Sequence, residues 1–71
     1  MKKARLENRL KVARAERGLS QGELARIAGV TRQTISSIEN CQYNPSTLLA
    51  LTLALRLDKH VDDLFYLEDE P

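Results

Sequence analysis

Between Thr31 and Asn40 the chain carries Arg32, Gln33, Ser36, Ser37 and Asn40, hydrogen-bonding side chains with no acid among them. On a helical wheel they lie opposite Thr34, Ile35 and Ile38. Such groups suit the edges of nucleic-acid bases. A glutamine amide pairs bidentately with adenine and an arginine fork with guanine, and Thr31 at the helix start has a methyl group to set against thymine. The wheel alone equally describes a solvated polar face, which any surface helix has. Catalytic chemistry finds no residues to work with. His60 is the one histidine and Cys41 the one cysteine, nineteen positions apart, and zinc-ligand spacings, phosphate loops and nucleophile elbows are absent. Asp62, Asp63, Glu68, Asp69 and Glu70 read as a solvated acidic face, and His60 as a cap or a solvent-facing residue. No metal, cofactor or small-molecule ligand is expected.

The elements that must hold this face are legible in Gln21 to Asn40, QGELARIAGVTRQTISSIEN. Leu24, Ala25 and Ala28 share one side of a first helix. Gly29 stands where a left-handed residue ends it, and Val30 plugs the turn. Thr31 caps a second helix in which Ile35 and Ile38 face inward. Ala25 is as telling as the large residues, because two helices crossing this closely leave room only for a methyl group. Upstream, Ser20 and Glu23 have capping-box spacing. This is a helix-turn-helix pattern.

Residues 10 to 65 resemble the Xre family of helix-turn-helix regulators, which includes the lambdoid phage Cro and repressor proteins. The matching segments are Arg14, Glu16-Arg17-Gly18-Leu19-Ser20-Gln21, Glu23-Leu24-Ala25, Gly29-Val30, Arg32-Gln33-Thr34-Ile35-Ser36, Ile38-Glu39-Asn40, Asn44-Pro45-Ser46 and Asp63-Leu64-Phe65. They run in order along nearly the whole chain. Phe65-Tyr66-Leu67 after the last helix looks like the small dimeric subgroup typified by the cytolysin-operon repressor. The resemblance implies that Thr31, Arg32, Gln33, Ser36 and Ser37 contact bases. It also implies that Arg14 and Glu39 pair internally, bracing the first helix against the third. Phosphate contacts are expected at the edges of the unit. Gln21 sits in the first turn of a helix, whose free N–H groups attract an anion, and Asn40, Gln42, Tyr43 and Asn44 supply neutral donors on the other flank. Tyr43 can equally pack on Pro45, and Asn44 can serve as a turn residue. Two positions depart from the family pattern, which commonly has Gly where this chain has Cys41 and Asp58. At the exit of the third helix either Cys41 is strained or Asn40 itself turns left-handed. Lys59 replaces a commonly apolar residue.

Seventy-one residues make one domain, with a core expected over 8–66 and an acidic tail over 67–71. At 42% hydrophobic and 30% charged the composition is that of a globular protein, and 4% aromatic residues demand an aliphatic core. Charge is polarised along the chain: residues 1–17 carry +5, 18–57 carry +1 and 58–71 carry −5. Such a chain is not a bulk polycation, so DNA binding must come from local geometry. A single cysteine excludes an internal disulfide and fits a reducing cytoplasm. The apolar run Leu48 to Leu57 is about half a bilayer span.

Asn8 is placed to cap a first helix bearing Leu10, Ala13 and the stem of Arg17, which Gly18 ends. Two readings stand for Met1 to Glu7: a frayed basic terminus, or a strand at Arg5-Leu6-Glu7 paired with Phe65-Tyr66-Leu67 in a short ribbon joining the termini. Ser46 caps a fourth helix running to Leu57, and a short fifth spans Val61 to Phe65. The fourth helix is apolar nearly all round. Ala50, Leu53, Ala54 and Leu57 form its core face, and Leu48, Leu51 and Leu55 a second stripe. Unless the fifth helix and the N-terminal segment cover that stripe, it is an association surface together with Phe65, Tyr66 and Leu67.

The expected protein is an all-α, five-helix, lambda-repressor-like domain that binds double-stranded DNA as a homodimer and represses transcription from an inverted repeat. A second reading is a protein-interaction module or antitoxin on the same fold, holding its partner through the fourth helix and the acidic tail.

Overall fold

Small polar caps and left-handed residues set the element boundaries in the computed structural model, which describes residues 3–70. Met1 and Lys2 of the basic lead-in and Pro71 of the acidic end lie outside the described residues. The order is β1 (Ala4–Asn8), α1 (Leu10–Glu16), α2 (Gln21–Ala28), α3 (Arg32–Glu39), α4 (Thr47–Arg56), α5 (Val61–Leu64) and β2 (Phe65–Asp69). The Ser20 hydroxyl accepts the Glu23 N–H at 3.0 Å, and the Glu23 carboxylate accepts the Ser20 N–H at 2.9 Å. That reciprocal pair fixes the start of α2. Gly29 at φ 76° ends it. Thr31 and Ser46 cap α3 and α4 through the N–H groups of Thr34 and Leu49.

At the α3 exit Cys41 takes the left-handed conformation, at φ 58°, while Asn40 stays at φ −89°. Of the two expectations for this corner, the strained cysteine is the one realised. Asp58 does the same after α4, at φ 55°. Arg17 is exposed, and its guanidinium donates to the Leu57 carbonyl at 3.1 Å, so it serves the end of α4.

The termini form the ribbon, so the fold is five helices plus a two-stranded sheet and not purely α. β1 and β2 pair antiparallel with Leu6 opposite Leu67 and Asn8 opposite Phe65. A lone hairpin is marginal in water. This one is anchored because Phe65 is buried in the core, Leu6 packs against it, and the Arg9 N–H reaches the Leu64 carbonyl at 2.8 Å. Strand β2 includes Leu67, as the ribbon reading expects, and runs on through Glu68 and Asp69, residues that the sequence alone assigns to a tail.

The core is one apolar cluster, aliphatic except for Phe65. Leu10 and Ala13 of α1, Leu24 and Ala25 of α2, and Ile35 and Ile38 of α3 meet Leu49, Leu53, Ala54 and Leu57 of α4, closed by Leu64 and Phe65. Leu49 belongs to it, and Ala50 is only half-buried against it. In a helix apolar nearly all round, periodicity does not choose between adjacent positions; the packing of the other elements does. Leu48, Leu51 and Leu55 remain 77%, 51% and 72% exposed, so neither α5 nor β1 covers the second stripe.

Candidate nucleic-acid interface

Ile35 and Ile38 are fully sunk in the core, and this fixes the rotation of α3 about its axis. Arg32 and Gln33 then stand in solvent, with Ser36 and Ser37 half-buried beside them. Among the described residues Arg32 makes no ion pair. Gln33 donates from Nε2 to Ser37 Oγ at 3.2 Å, one helical turn on. The Thr31 oxygen accepts the Thr34 N–H at 3.2 Å and lies 3.0 Å from the Thr34 hydroxyl. With its oxygen engaged in the cap, Thr31 has mainly its methyl group for a partner.

The expected residues gather around two clefts. Gln21, Arg32, Gln33 and Ser36 line one of about 370 Å³ between the starts of α2 and α3. Gln33, Thr34, Ser37, Gln42 and Tyr43 line another, of about 210 Å³. Gln33 lies on both, at the centre of the face. Thr31, Asn40 and Asn44 are exposed but border neither. Tyr43 also walls a larger open groove of about 410 Å³ with Val30, Leu48 and Leu49, a feature that no sequence pattern announces.

Beneath this face lies the brace. Arg14 donates to Glu39 from Nε at 2.8 Å and from Nη2 at 3.2 Å, and to the Leu19 carbonyl from Nη1 at 2.8 Å. The two side chains are only 14% and 5% exposed. A planar guanidinium meets a carboxylate in this way with both oxygens used. The hydrogen bond to Glu39 raises the Arg14 pKa above its already high value, against the opposing effect of burial, so the cation persists at any ordinary pH.

Gln21 completes the group by donating from Nε2 to Glu39 Oε1 at 3.0 Å. Sequence reasoning treats Gln21 only as an anion-facing residue. Its second role depends on eighteen residues of chain folding back, which no local signal encodes. Asn8 is a similar case. The cap position of α1 falls to Arg9, which makes no side-chain cap bond, and not to Asn8, the last residue of β1. The Asn8 oxygen accepts the Leu10 N–H at 3.1 Å, and its nitrogen donates to the Ile38 carbonyl at 2.9 Å, tying the ribbon to the last turn of α3.

Cys41 adjoins this junction, with its thiol 3.7 Å from Glu7 Oε1 and 3.8 Å from Asn8 Nδ2. Burial, then the Glu7 charge, push its pKa up, which disfavours the reactive thiolate. Of the expected association residues, Phe65 is consumed by the core, because strand alternation turns it inward. Tyr66 is half-buried beneath Arg9, whose guanidinium carbon is 4.6 Å from the ring centroid. Leu67, on the same strand face as Phe65 but beyond the core, is 72% exposed.

A two-helix unit of this geometry, with a braced second helix and an acid-free outer face, is that of a DNA-binding regulator. The helix-turn-helix family model (HTH_3) matches residues 10–64, and the chain belongs to that family. It is 43% identical over 65 residues to the uncharacterized HTH-type transcriptional regulator YgzD of Bacillus subtilis, covering 92% of this chain and 98% of that one. It is 47% identical over 58 residues to an uncharacterized HTH-type transcriptional regulator of Methanothermobacter thermautotrophicus, covering 80% and 84%. Among solved structures it resembles the restriction-modification controller protein C.AhdI from Aeromonas hydrophila, with a TM-score of 0.74 and 36% identity over 78% of this chain and 83% of that one. The transcriptional regulator VanUg shares the fold over 99% of this chain and 93% of its own, with a TM-score of 0.79 at 20% identity. No helix among the described residues is long and apolar enough to cross a membrane.

Proposed function

We propose that the chain is a cytoplasmic repressor that binds an inverted-repeat operator as a homodimer. Helix α3 of each copy enters the major groove while α2 crosses the backbone. The observation that carries this reading is the outer face of α3: an exposed arginine without an ion pair among the described residues, an exposed glutamine and two serines, with no acid, on a helix whose inner side is locked by the core and the brace. We assign base contact to Thr31, Arg32, Gln33 and Ser36, with Ser37 on the same face. Phosphate contact is assigned to Asn40, Gln42, Tyr43 and Asn44, and to Gln21 in the first turn of α2, whose backbone N–H groups face an anion and whose amide gives one of its two hydrogens to Glu39. Phosphate contacts set register, and base contacts set sequence.

The dimer rests on the uncovered Leu48, Leu51 and Leu55, joined by Leu67 as the exposed apolar residue of the ribbon. Closed two-fold pairing is the commonest way for such a face to be buried. To read an inverted-repeat operator, the two α3 helices of the proposed dimer must lie about 34–36 Å apart, one DNA turn. The same leucine face favours the second reading, in which another protein occupies it and the chain is an antitoxin or interaction module.

Selection of bound duplexes from random DNA by the full chain tests the proposal. The expected product is an inverted repeat with half-sites about 10–10.5 base pairs apart, centre to centre. Recovery of sequences with no common motif would overturn it.

A further inference from the structure

We propose that Ser37 is a positioning residue: it presets the Gln33 amide as an adenine reader and does not itself read a base. The inference rests on the reading of α3 as the base-contacting helix. A glutamine side chain is long and freely rotating, and its amide presents an acceptor on one side and two donors on the other. Turned one way it matches adenine, accepting from N6 and donating to N7; turned the other way it offers the same groups in reversed order. Which base pair an exposed glutamine prefers therefore depends on what fixes the amide's direction.

Here Ser37 Oγ lies one turn along α3 and takes a hydrogen from Gln33 Nε2 at 3.2 Å. The nitrogen end of the amide is thereby held toward the C-terminal end of α3. Oε1 and the second N–H stay free, which are the two groups that adenine requires. Thr34, Gln42 and Tyr43 wall the cleft on which this pair sits and restrict the sweep of the side chain. Ser37 is poorly placed to act alone, since it is short, half-buried and already accepting from Gln33. Arg32 has no ion-pair partner among the described residues and needs none, because a guanidinium fork carries its own geometry.

The test uses the full chain and the best site selected from random DNA, with competition titrations against every single-base variant of one half-site. Gln33→Ala should abolish the adenine preference at one base pair, a loss of about 5- to 150-fold in discrimination. Ser37→Ala should weaken the preference at that same base pair by about 2- to 10-fold, the cost of immobilising one side chain. It should have no further effect in the Gln33→Ala background, and Ser37→Thr, which keeps the hydroxyl, should restore the preference. A Ser37→Ala effect at a different base pair, an effect that persists without Gln33, or no effect would each overturn the positioning role while leaving base reading by α3 intact. If Gln33→Ala itself changed no preference, the base-reading assignment of α3 would fall, and this inference with it.

Discussion

Removing Glu39 probes the link between fold and function most directly. Its carboxylate is 5% exposed and holds three donors, Arg14 Nε, Arg14 Nη2 and Gln21 Nε2. Glu39→Ala leaves the Arg14 guanidinium, itself only 14% exposed, with the Leu19 carbonyl as its remaining partner among the described residues. Orphaning one member of a buried pair is destabilising by about 3–5 kcal/mol. Water reaches the slightly open arginine side of this pair, so we expect about 3 kcal/mol. For a domain of this size that lowers Tm by about 20 °C. Urea unfolding at fixed protein concentration should show a lower midpoint with an unchanged slope, because the surface exposed on unfolding is the same. The loss should persist in high salt, which screens exposed pairs but not buried ones. Arg14→Met with Glu39→Leu should be far milder than either single change, since no unpaired charge stays behind. A loss below about 1 kcal/mol for Glu39→Ala, the range of surface pairs, would refute the reasoning. So would a double variant as unstable as the single one.

Further outcomes are expected. Arg32→Ala should relax preference at one base pair with a loss of about 1–3 kcal/mol, whereas Asn44→Ala should weaken binding evenly across sequences; competition titration separates the two. Leu55→Glu should give a folded monomer with poor operator binding, and sedimentation equilibrium with circular dichroism checks both halves. Cys41→Gly should stabilise the fold by about 0.5–1 kcal/mol in chemical denaturation, as relief of left-handed strain outweighs the added freedom of the unfolded chain. The Glu23 carboxylate titrates below its ordinary value of 4.5, chiefly because it accepts the Ser20 backbone N–H. A lowered folded value means its contribution is complete above the unfolded pKa and is lost as pH falls through the folded one. Glu23→Gln should therefore flatten the acid limb of the stability–pH curve measured by urea unfolding.

What the sequence determined is the part written in local code. Ser20-x-x-Glu23, Gly29, Thr31 and Ser46 mark helix ends through hydrogen bonds that span three or four residues, so α2, α3 and α4 are readable without tertiary information. The spacing of Ile35 and Ile38 likewise fixes which side of α3 faces out, and with it Arg32 and Gln33. The tertiary structure decided what depends on distant segments meeting. The ribbon exists because the core supports Phe65 and Leu6; no local propensity separates it from a frayed end. Leu49 joined the core ahead of Ala50 because packing, not periodicity, orients an otherwise apolar helix. Gln21 became a third member of the Arg14–Glu39 brace, and Asn8 a tie between the ribbon and α3, across 18 and 30 residues of sequence. A side chain's periodicity reports the face it occupies, but its hydrogen-bond partner is set by how the chain folds back, and that information is spread over the whole molecule.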